Sequence, residues 1–308
     1  MVDVLVHGSD LSAALIWYGL RRGGFDAFLV HGAMRMSEGL AYLPFTSEWI
    51  KYVRGMGVGR FSEEYGVWLK TSDNIAGRFY PAIKAGVGEA RGIAEEILSA
   101  CEGGVEPWCR SISWRQVKDG FQYIVVSRTG KKLSGAAQIL IDTSAEKMAG
   151  GGVFVHTSPS VMRDAVLDLS GRFIRLTVPH GRIETSVHVG AEERRRGVIC
   201  RVTLPLRESI DLGTMPLLHA GVRSGLVRPP WLGDYFAASS LVSVKIVENW
   251  LGSGDLSENL LAYLTELKTR SELCLRVVRD VTTGVVGELE LSYIFEGLRP
   301  PPTPSYRL

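Results

Sequence analysis

The chain has 308 residues, of which 45% are hydrophobic, and its formal net charge is +2 at pH 7. This length and composition are expected of a globular protein that buries a sizeable core, and the near-neutral charge gives no support for nucleic acid or an anionic membrane as a partner. The sequence excludes a transmembrane helix, since its apolar runs fall short of the ~18 residues that such a helix needs.

Sequence and composition also indicate the location and source of the protein. The N-terminus lacks the charged and apolar regions of a signal peptide, so we predict a cytoplasmic location. Asn and Gln are scarce and Arg outnumbers Lys, which favours a thermophilic source. The cysteines form no CxxC pair and the histidines show no metal-ligand spacing, so the sequence predicts neither a redox pair nor a metal site.

The first elements in chain order form a β-α-β unit. Val2 to His7 is a short apolar run typical of a buried parallel strand, and Ser12 to Arg22 has the apolar spacing of a helix. Gly23-Gly24 ends that helix, and Ala27 to Val30 supplies a second apolar strand. The right-handed crossover rule makes the two strands parallel neighbours.

The middle of the chain is predicted to be mainly β structure. Residues 32 to 88 show no clean period and are predicted to be irregular, with a small hairpin at Tyr65 to Leu69. A helix that begins at Glu89 precedes three strands, the last at Gln138 to Ile141. Residues 153 to 210 hold several β-like runs and are predicted to form an antiparallel sheet.

Helices dominate the predicted C-terminal part. One begins near Gly233, and a second follows it with Asp255 or Ser257 as its cap. The final stretch, RPPPTPSYRL, is rich in proline and is predicted to be extended or mobile.

Taken in this order, the elements resemble those of the FAD-dependent oxidoreductases of the glutathione-reductase-like class, most of all the branch that contains the geranylgeranyl reductases. The stretches that carry the resemblance are residues 3 to 31, 89 to 145 and 217 to 267. It implies an α/β fold in which an FAD/NAD(P)-binding, Rossmann-like domain combines a parallel sheet with a β-meander. A small inserted antiparallel sheet of the substrate-domain type would complete the molecule.

The resemblance also implies a division into domains. Residues 1–150 and 211–280 would form the dinucleotide-binding-type domain, and residues 151–210 the inserted sheet. Residues 281–308 would be a C-terminal extension that ends in the proline-rich stretch.

The cofactor motif of this class, G-x-G-x-x-G, is only partly present after the first strand. Gly8 keeps the first position, followed by Ser9, and Ala13 can serve at the third glycine position, where close helix packing is needed. The second position holds Asp10. A carboxylate at the start of a helix caps it but repels a diphosphate, so we predict a degenerate FAD site.

Other positions that the resemblance assigns to the cofactor also depart from the family pattern. The second strand ends in His31 where an acid should bind the ribose, and Gly221 in LLHAGVRSG is not followed by the expected Asp. Gly233 opens the late helix, but Tyr235 stands at the neighbouring glycine position. Thr143, in DTS, occupies the strand end that such proteins show as Ala-Thr-Gly or Ala-Asp-Gly.

One arginine matches the family by position. Arg91 lies at the start of the helix before the β-meander, where related proteins place an arginine that often faces the cofactor. Without the resemblance, a solvated helix residue is the simpler interpretation.

Two function classes stay open at this point. In the first, the protein binds FAD weakly or not at all and acts as a non-catalytic paralogue whose partner is another protein, a flavoprotein subunit or a second copy of itself. In the alternative, it is an active FAD-dependent oxidoreductase that acts on an apolar, isoprenoid-like substrate. The sequence assigns no catalytic residue in either case.

Overall fold

A computed structural model describes residues 1–32, 42–71, 74–100, 103–144, 152–160, 162–170, 173–190, 198–252, 257–283 and 299–300. Within them the chain forms two β-sheets and five helices. The helices are α1 (Leu11–Arg22), α2 (Ser47–Gly55), α3 (Ala90–Ala100), α4 (Leu232–Gly252) and α5 (Glu258–Thr283).

The first sheet has a parallel centre. Strand β1 lies between β2 and β8, β6 adds to the far side of β2, and β15 adds to the far side of β8, all in parallel. The far ends of β6 and β8 also pair with β7 in an antiparallel meander. Its strands are β1 (Val2–His7), β2 (Ala27–Gly32), β6 (Val105–Val117), β7 (Gly120–Ser127), β8 (Lys132–Asp142), β14 (Gly213–Thr214) and β15 (Leu217–His219).

The second sheet is mostly antiparallel and draws strands from two separate parts of the chain. Its order is β13-β9-β12-β11-β10-β4-β5-β3, and the junction between the two parts is the parallel pair β10 and β4. Its strands are β3 (Tyr42–Thr46), β4 (Tyr65–Thr71), β5 (Asn74–Glu89), β9 (Gly152–Pro159), β10 (Ala165–Leu169), β11 (Phe173–His180), β12 (Ile183–Gly190) and β13 (Cys200–Pro205).

Helix α1 is fixed on the parallel sheet by its apolar residues. Leu11, Ile16 and Leu20 are buried, and Trp17 donates its indole N–H to the Ala27 carbonyl at 3.0 Å. Helix α4 packs against α1, and one continuous core joins these helices to the apolar face of the second sheet. A smaller core fills the space between the parallel sheet and the meander.

The structure confirms the predicted fold class. Residues 3 to 7, 26 to 30 and 138 to 141, expected in one parallel sheet, contribute to β1, β2 and β8. The meander follows the predicted helix, and the Ser257 hydroxyl accepts the Leu260 N–H at 3.4 Å at the start of α5. None of the described helices combines the length and hydropathy that a membrane span requires.

The prediction for residues 32 to 88 was wrong. The described part of this stretch contains β3, α2, β4 and most of β5, and the predicted hairpin is one part of a larger antiparallel arrangement. The second sheet therefore extends beyond residues 151–210, because three strands between residues 42 and 89 belong to it. The division into domains otherwise stays a prediction, and residues 284–298 and 301–308 of the predicted extension lie outside the described residues.

Candidate functional site

The carboxyl ends of three parallel strands meet at one edge of the first sheet. The Thr143 N–H after β8 donates to the His7 carbonyl at 2.8 Å, and the Ala220 N–H after β15 donates to the Asp142 carbonyl at 3.0 Å. The Gly8 N–H donates to the Val30 carbonyl in β2 at 3.2 Å. Open α/β sheets bind their ligands at this edge, so the three turns after β1, β8 and β15 form the candidate site.

The turn after β1 depends on glycine at its first position. Gly8 has a φ of +151°, which side-chain-bearing residues rarely adopt, and a Cβ there would lie 1.9 Å from the Thr143 hydroxyl oxygen. The turn after β8 thus packs directly on the Gly8 backbone. This close approach fixes the path of the chain into α1.

Asp10 is the N-cap of α1. Its Oδ1 accepts the Ala13 N–H at 2.9 Å, so one of the otherwise unpaired N–H groups at the helix start is satisfied by the chain itself. Its Oδ2 is buried and directed at the turn after β15, since a Cβ built on Gly221 would lie 2.4 Å from that oxygen. The carboxyl group therefore fills the space between the β1–α1 turn and the turn after β15.

Burial makes the Asp10 carboxyl a weaker acid than an exposed aspartate. Loss of solvent raises the pKa of its carboxyl from an ordinary value of 3.8 to about 6, and the nearby Ala13 N–H, Thr143 hydroxyl and Val222 N–H offset only part of that rise. Asp10 Oδ2 and the Thr143 hydroxyl face this space without a hydrogen bond of normal geometry in the described part of the chain. At neutral pH the carboxyl is mostly ionised, and below about pH 6 it is mostly neutral.

A second acid, Asp142, ends β8 beside Asp10. Its Oδ1 accepts from His7 Nδ1 at 3.1 Å and from the N–H and hydroxyl of Ser144 at 3.0 and 2.6 Å. Arg223 Nε lies 3.8 Å from Asp142 Oδ2. Burial alone would raise the pKa of Asp142, but the hydrogen bonds from His7 and Ser144 outweigh it and hold that pKa below its usual value.

The turn after β15 is held by α4. Gly221 has a φ of +55°, its N–H donates to the Ser239 hydroxyl at 2.8 Å, and its carbonyl accepts from the Ser224 hydroxyl at 2.8 Å. Arg223 stands close to the position where the resemblance expects an acid. Its guanidinium pairs with Asp142 of the neighbouring turn, so a basic group is directed into the candidate site.

The start of α4 is covered by the second sheet. A Cβ on Gly233 would lie 2.4 Å from the Phe45 ring of β3, and Asp234 accepts from the N–H and hydroxyl of Thr46, each at 2.9 Å. Tyr235 is buried, and its hydroxyl lies 3.2 Å from Cys274 Sγ in α5. The small residue at Gly233 thus accommodates an aromatic side chain of the same chain.

The structure brings together most of the site residues predicted from the sequence. Gly8, Ser9, Asp10 and Ala13 lie in the β1–α1 turn and the first turn of α1, facing Thr143 and Gly221 on the neighbouring turns. His7, Asp142 and Arg223 complete the polar cluster.

Three other predicted positions lie apart from this cluster or cannot be placed in it. Gly233 faces Phe45. Arg91 is exposed and pairs with Glu95 at 2.6 Å, one helical turn away on its own helix. His31 lies in β2, but its side chain is outside the described residues. No group of three or more His, Cys, Asp or Glu side chains among the residues described is arranged to bind a metal.

Phe45 is the part of this region that sequence analysis missed. It comes from the stretch predicted to be irregular, and it meets Gly233 only because β3 and α4 pack together. An isolated glycine at a helix start is a weak sequence signal for such a close contact, and nothing near Phe45 in the chain indicates its partner.

Comparison with solved structures identifies the architecture. A flavoprotein/dehydrogenase from Cytophaga hutchinsonii matches with a TM-score of 0.65 at 10% identity, over 97% of this chain and 89% of that chain. The 2,6-dihydroxypyridine-3-hydroxylase from Arthrobacter nicotinovorans matches with a TM-score of 0.63 at 12% identity, over 99% and 98% of the two chains. The chain has the fold of the FAD-dependent oxidoreductases.

A further solved structure and the sequence comparisons set the extent of this likeness. The flavin-dependent monooxygenase PieE, determined in complex with FAD and substrate, matches with a TM-score of 0.62 at 12% identity, over 91% of this chain and 64% of that chain. No family model matches the sequence, and no curated protein shows significant sequence similarity to it. At such identities the fold is what is shared, and the geranylgeranyl-reductase-like branch stays a prediction.

Proposed function

We propose that this protein keeps the flavoprotein fold but does not hold FAD tightly, and that it acts as a non-catalytic subunit or partner of another cytoplasmic protein. The observation that carries the proposal is the Asp10 carboxyl, which caps α1 and is directed at Gly221. It occupies the helix start where a dinucleotide diphosphate would normally bind.

Three features of the candidate site fit a diphosphate poorly. The Ala13 N–H at the start of α1 is bonded to Asp10, and the Gly221 N–H is bonded to Ser239, so neither is available to a phosphate oxygen. The Asp10 carboxylate would repel the diphosphate at neutral pH. The guanidinium of Arg223, which could otherwise attract a phosphate, lies beside Asp142 instead.

The alternative function is an active FAD-dependent oxidoreductase with altered cofactor contacts. It is favoured by the Gly8 turn, which keeps the close approach of the family, and by the raised pKa of Asp10, which lets that carboxyl lose its charge just below neutral pH. In this case FAD would supply the redox chemistry. Gly8 and the start of α1 would contact its diphosphate once Asp10 is neutral.

Titration calorimetry with FAD and with ADP distinguishes the two functions. We expect wild-type protein to bind neither ligand with a Kd below about 1 μM at pH 7.5, a free energy of about −8 kcal/mol. Asp10→Gly removes both the charge and the bulk of the carboxyl and should gain measurable affinity. Asp10→Asn keeps the bulk and the cap, so comparison of the two variants separates repulsion from occupied space.

Each result has a clear consequence. Tight binding of FAD by the wild-type chain, with flavin absorption retained on purification, would overturn the proposal in favour of the oxidoreductase. Equal lack of binding by the wild type and Asp10→Gly would show that Asp10 is not what closes the site, because the other departures, at Arg223 and Phe45, would then suffice.

A further inference from the structure

An open groove lies at the far end of α1 from the candidate cofactor site. The groove lies between helices α1, α2 and α4 and has a volume of about 580 Å³. Apolar side chains line much of it, including Leu15 of α1 and Leu241 and Val244 of α4, with Tyr52 of α2 beside them. Charged residues such as Glu48 and Lys51 also line it. An apolar groove with an aromatic residue and a few polar side chains is suited to an extended peptide.

The chain itself enters this groove. Pro300 is one of the residues that line it, although it is separated by more than 45 positions from the nearest other lining residue in the sequence, Glu248. The sequence continues from there as Pro301-Pro302-Thr303-Pro304. The contact thus places the start of a proline-rich segment at the groove.

We propose that the groove between α1, α2 and α4 binds the chain's own proline-rich segment, residues 300–304. Proline has no backbone N–H, so Thr303 is the one residue of this segment that brings a backbone donor to an apolar surface. The segment is also pre-ordered, which lowers the entropic cost of binding. This proposal does not depend on whether the protein binds FAD.

A competition experiment tests the proposal on the full-length chain. The probe is a fluorescein-labelled peptide of sequence RPPPTPSYRL, followed by fluorescence anisotropy. A chain with Pro301→Ser, Pro302→Ser and Pro304→Ser should bind the peptide, because its own segment no longer competes. Wild-type protein should bind it at least about tenfold more weakly, since a tethered segment competes at an effective concentration in the millimolar range.

Matched groove variants, made in the serine-substituted chain, assign the binding to this place. Leu241→Glu puts a charge on the groove floor and should reduce peptide affinity at least about tenfold, whereas Leu261→Glu, on an exposed position of α5, should leave it unchanged.

A second pair of variants guards against misfolding. Gly55 lines the groove and Gly252 does not, and a Cβ at either residue meets nothing within 4 Å. Both positions therefore accept the Cβ of a glutamine, and only Gly55→Gln should weaken binding of the peptide.

Several results would overturn the proposal. Equal peptide binding by the wild type and the serine-substituted chain would mean that the groove is open to prolines of a second copy or another protein. If neither chain binds the peptide but an apolar dye binds the protein and Leu241→Glu abolishes that dye binding, the groove is a small-molecule site. Binding that is insensitive to both Leu241→Glu and Gly55→Gln would place the peptide elsewhere.

Discussion

The two ends of helix α1 differ in what occupies the space beside them. At the first end, Asp10 caps the helix and fills the gap to Gly221, so the unpaired N–H of Ala13 is satisfied from within. At the other end, Gly19 and Gly23 are small and leave room for a groove between three helices. The N-terminal end of α1, which binds an anion in many nucleotide-binding folds, thus carries a cap from the chain itself, and the groove lies at the opposite end of the helix.

The largest effect is expected from Gly8→Ala, just before the capped start of α1. The new Cβ would lie 1.9 Å from the Thr143 hydroxyl oxygen and the backbone would remain at a φ of +151°. Overlap and backbone strain together should lower the free energy of unfolding by about 4 kcal/mol. Urea denaturation followed by circular dichroism measures this.

The two contributions at Gly8 can be separated. Gly24→Ala also has a positive φ, +86°, but its Cβ would meet nothing within 4 Å, so this control should lose only about 1 kcal/mol. Adding Thr143→Ala to Gly8→Ala should recover roughly half of the loss. If Gly8→Ala lowers the free energy of unfolding no more than Gly24→Ala does, the turns after β1 and β8 are not in the close contact described above.

The next effect concerns the polar cluster beside Asp10. Asp142→Ala leaves the His7 ring N–H and the Ser144 donors without their buried acceptor, and we expect a loss of about 3 kcal/mol at pH 7. Since the pKa of Asp142 is lowered in the folded state, its contribution is present above about pH 4 and is lost as the pH falls below that value.

The His219–Asp211 pair, whose acid is half exposed, is the matched control for this prediction. Its two atoms are also 3.1 Å apart, but the Asp211 side chain is 50% exposed, so Asp211→Ala should cost less than about 1 kcal/mol. Thermal unfolding of both variants at pH 3 and pH 7 measures the difference. Equal losses would mean that burial does not strengthen the cluster.

Asp10→Asn is expected to stabilise the protein. The folded-state pKa of Asp10, about 6, exceeds its ordinary 3.8, so the charged carboxyl is disfavoured by at most about 3 kcal/mol when the protein is folded. That penalty grows as the pH rises from about 4 to 6 and is constant above. The variant should therefore match the wild type below pH 4 and exceed it by about 2 kcal/mol at pH 7.

A pH series of urea midpoints checks this prediction against Asp119→Asn, a change in an exposed turn. The control should show the same pH dependence as the wild type. A variant less stable than the wild type at pH 7 would indicate that the carboxylate is favoured by the helix start and the Val222 N–H more than it is penalised by burial.

Local sequence patterns were enough to predict the elements on either side of the β1–α1 turn. Val4 to Val6 is an apolar run, α1 has helical spacing, and Gly8 and Asp10 lie in the short turn between the two elements. Residues 32 to 88 could not be predicted in this way. Strand β4 is stabilised by pairing with β10, about a hundred positions later, and no local period indicates such a partner.

Long-range contacts also explain what was missed around the site. The turn after β15 was predicted to contain Gly221, but its approach to Asp10 depends on the pairing of β15 with β8. The contact of Phe45 with Gly233 joins positions 188 residues apart, the same separation as the bond from Thr46 to Asp234. The sequence pattern indicates which residue types are present. Which of them come into contact is decided by strand pairing and by the packing of helices on the sheets.

The smallest effect is expected at the C-terminal end of α1, beside the groove. An alanine in place of a glycine usually stabilises a helix, by up to about 1 kcal/mol in the interior, as at Gly19, and by less at the last residue, as at Gly55. At Gly19 the new Cβ would lie 3.0 Å from a Val244 methyl carbon, which offsets that gain, whereas at Gly55 it would meet nothing. Gly55→Ala should therefore raise the urea midpoint and Gly19→Ala should leave it nearly unchanged. If Gly19→Ala is as stabilising as Gly55→Ala, α1 and α4 are farther apart than described, and the groove between them is wider.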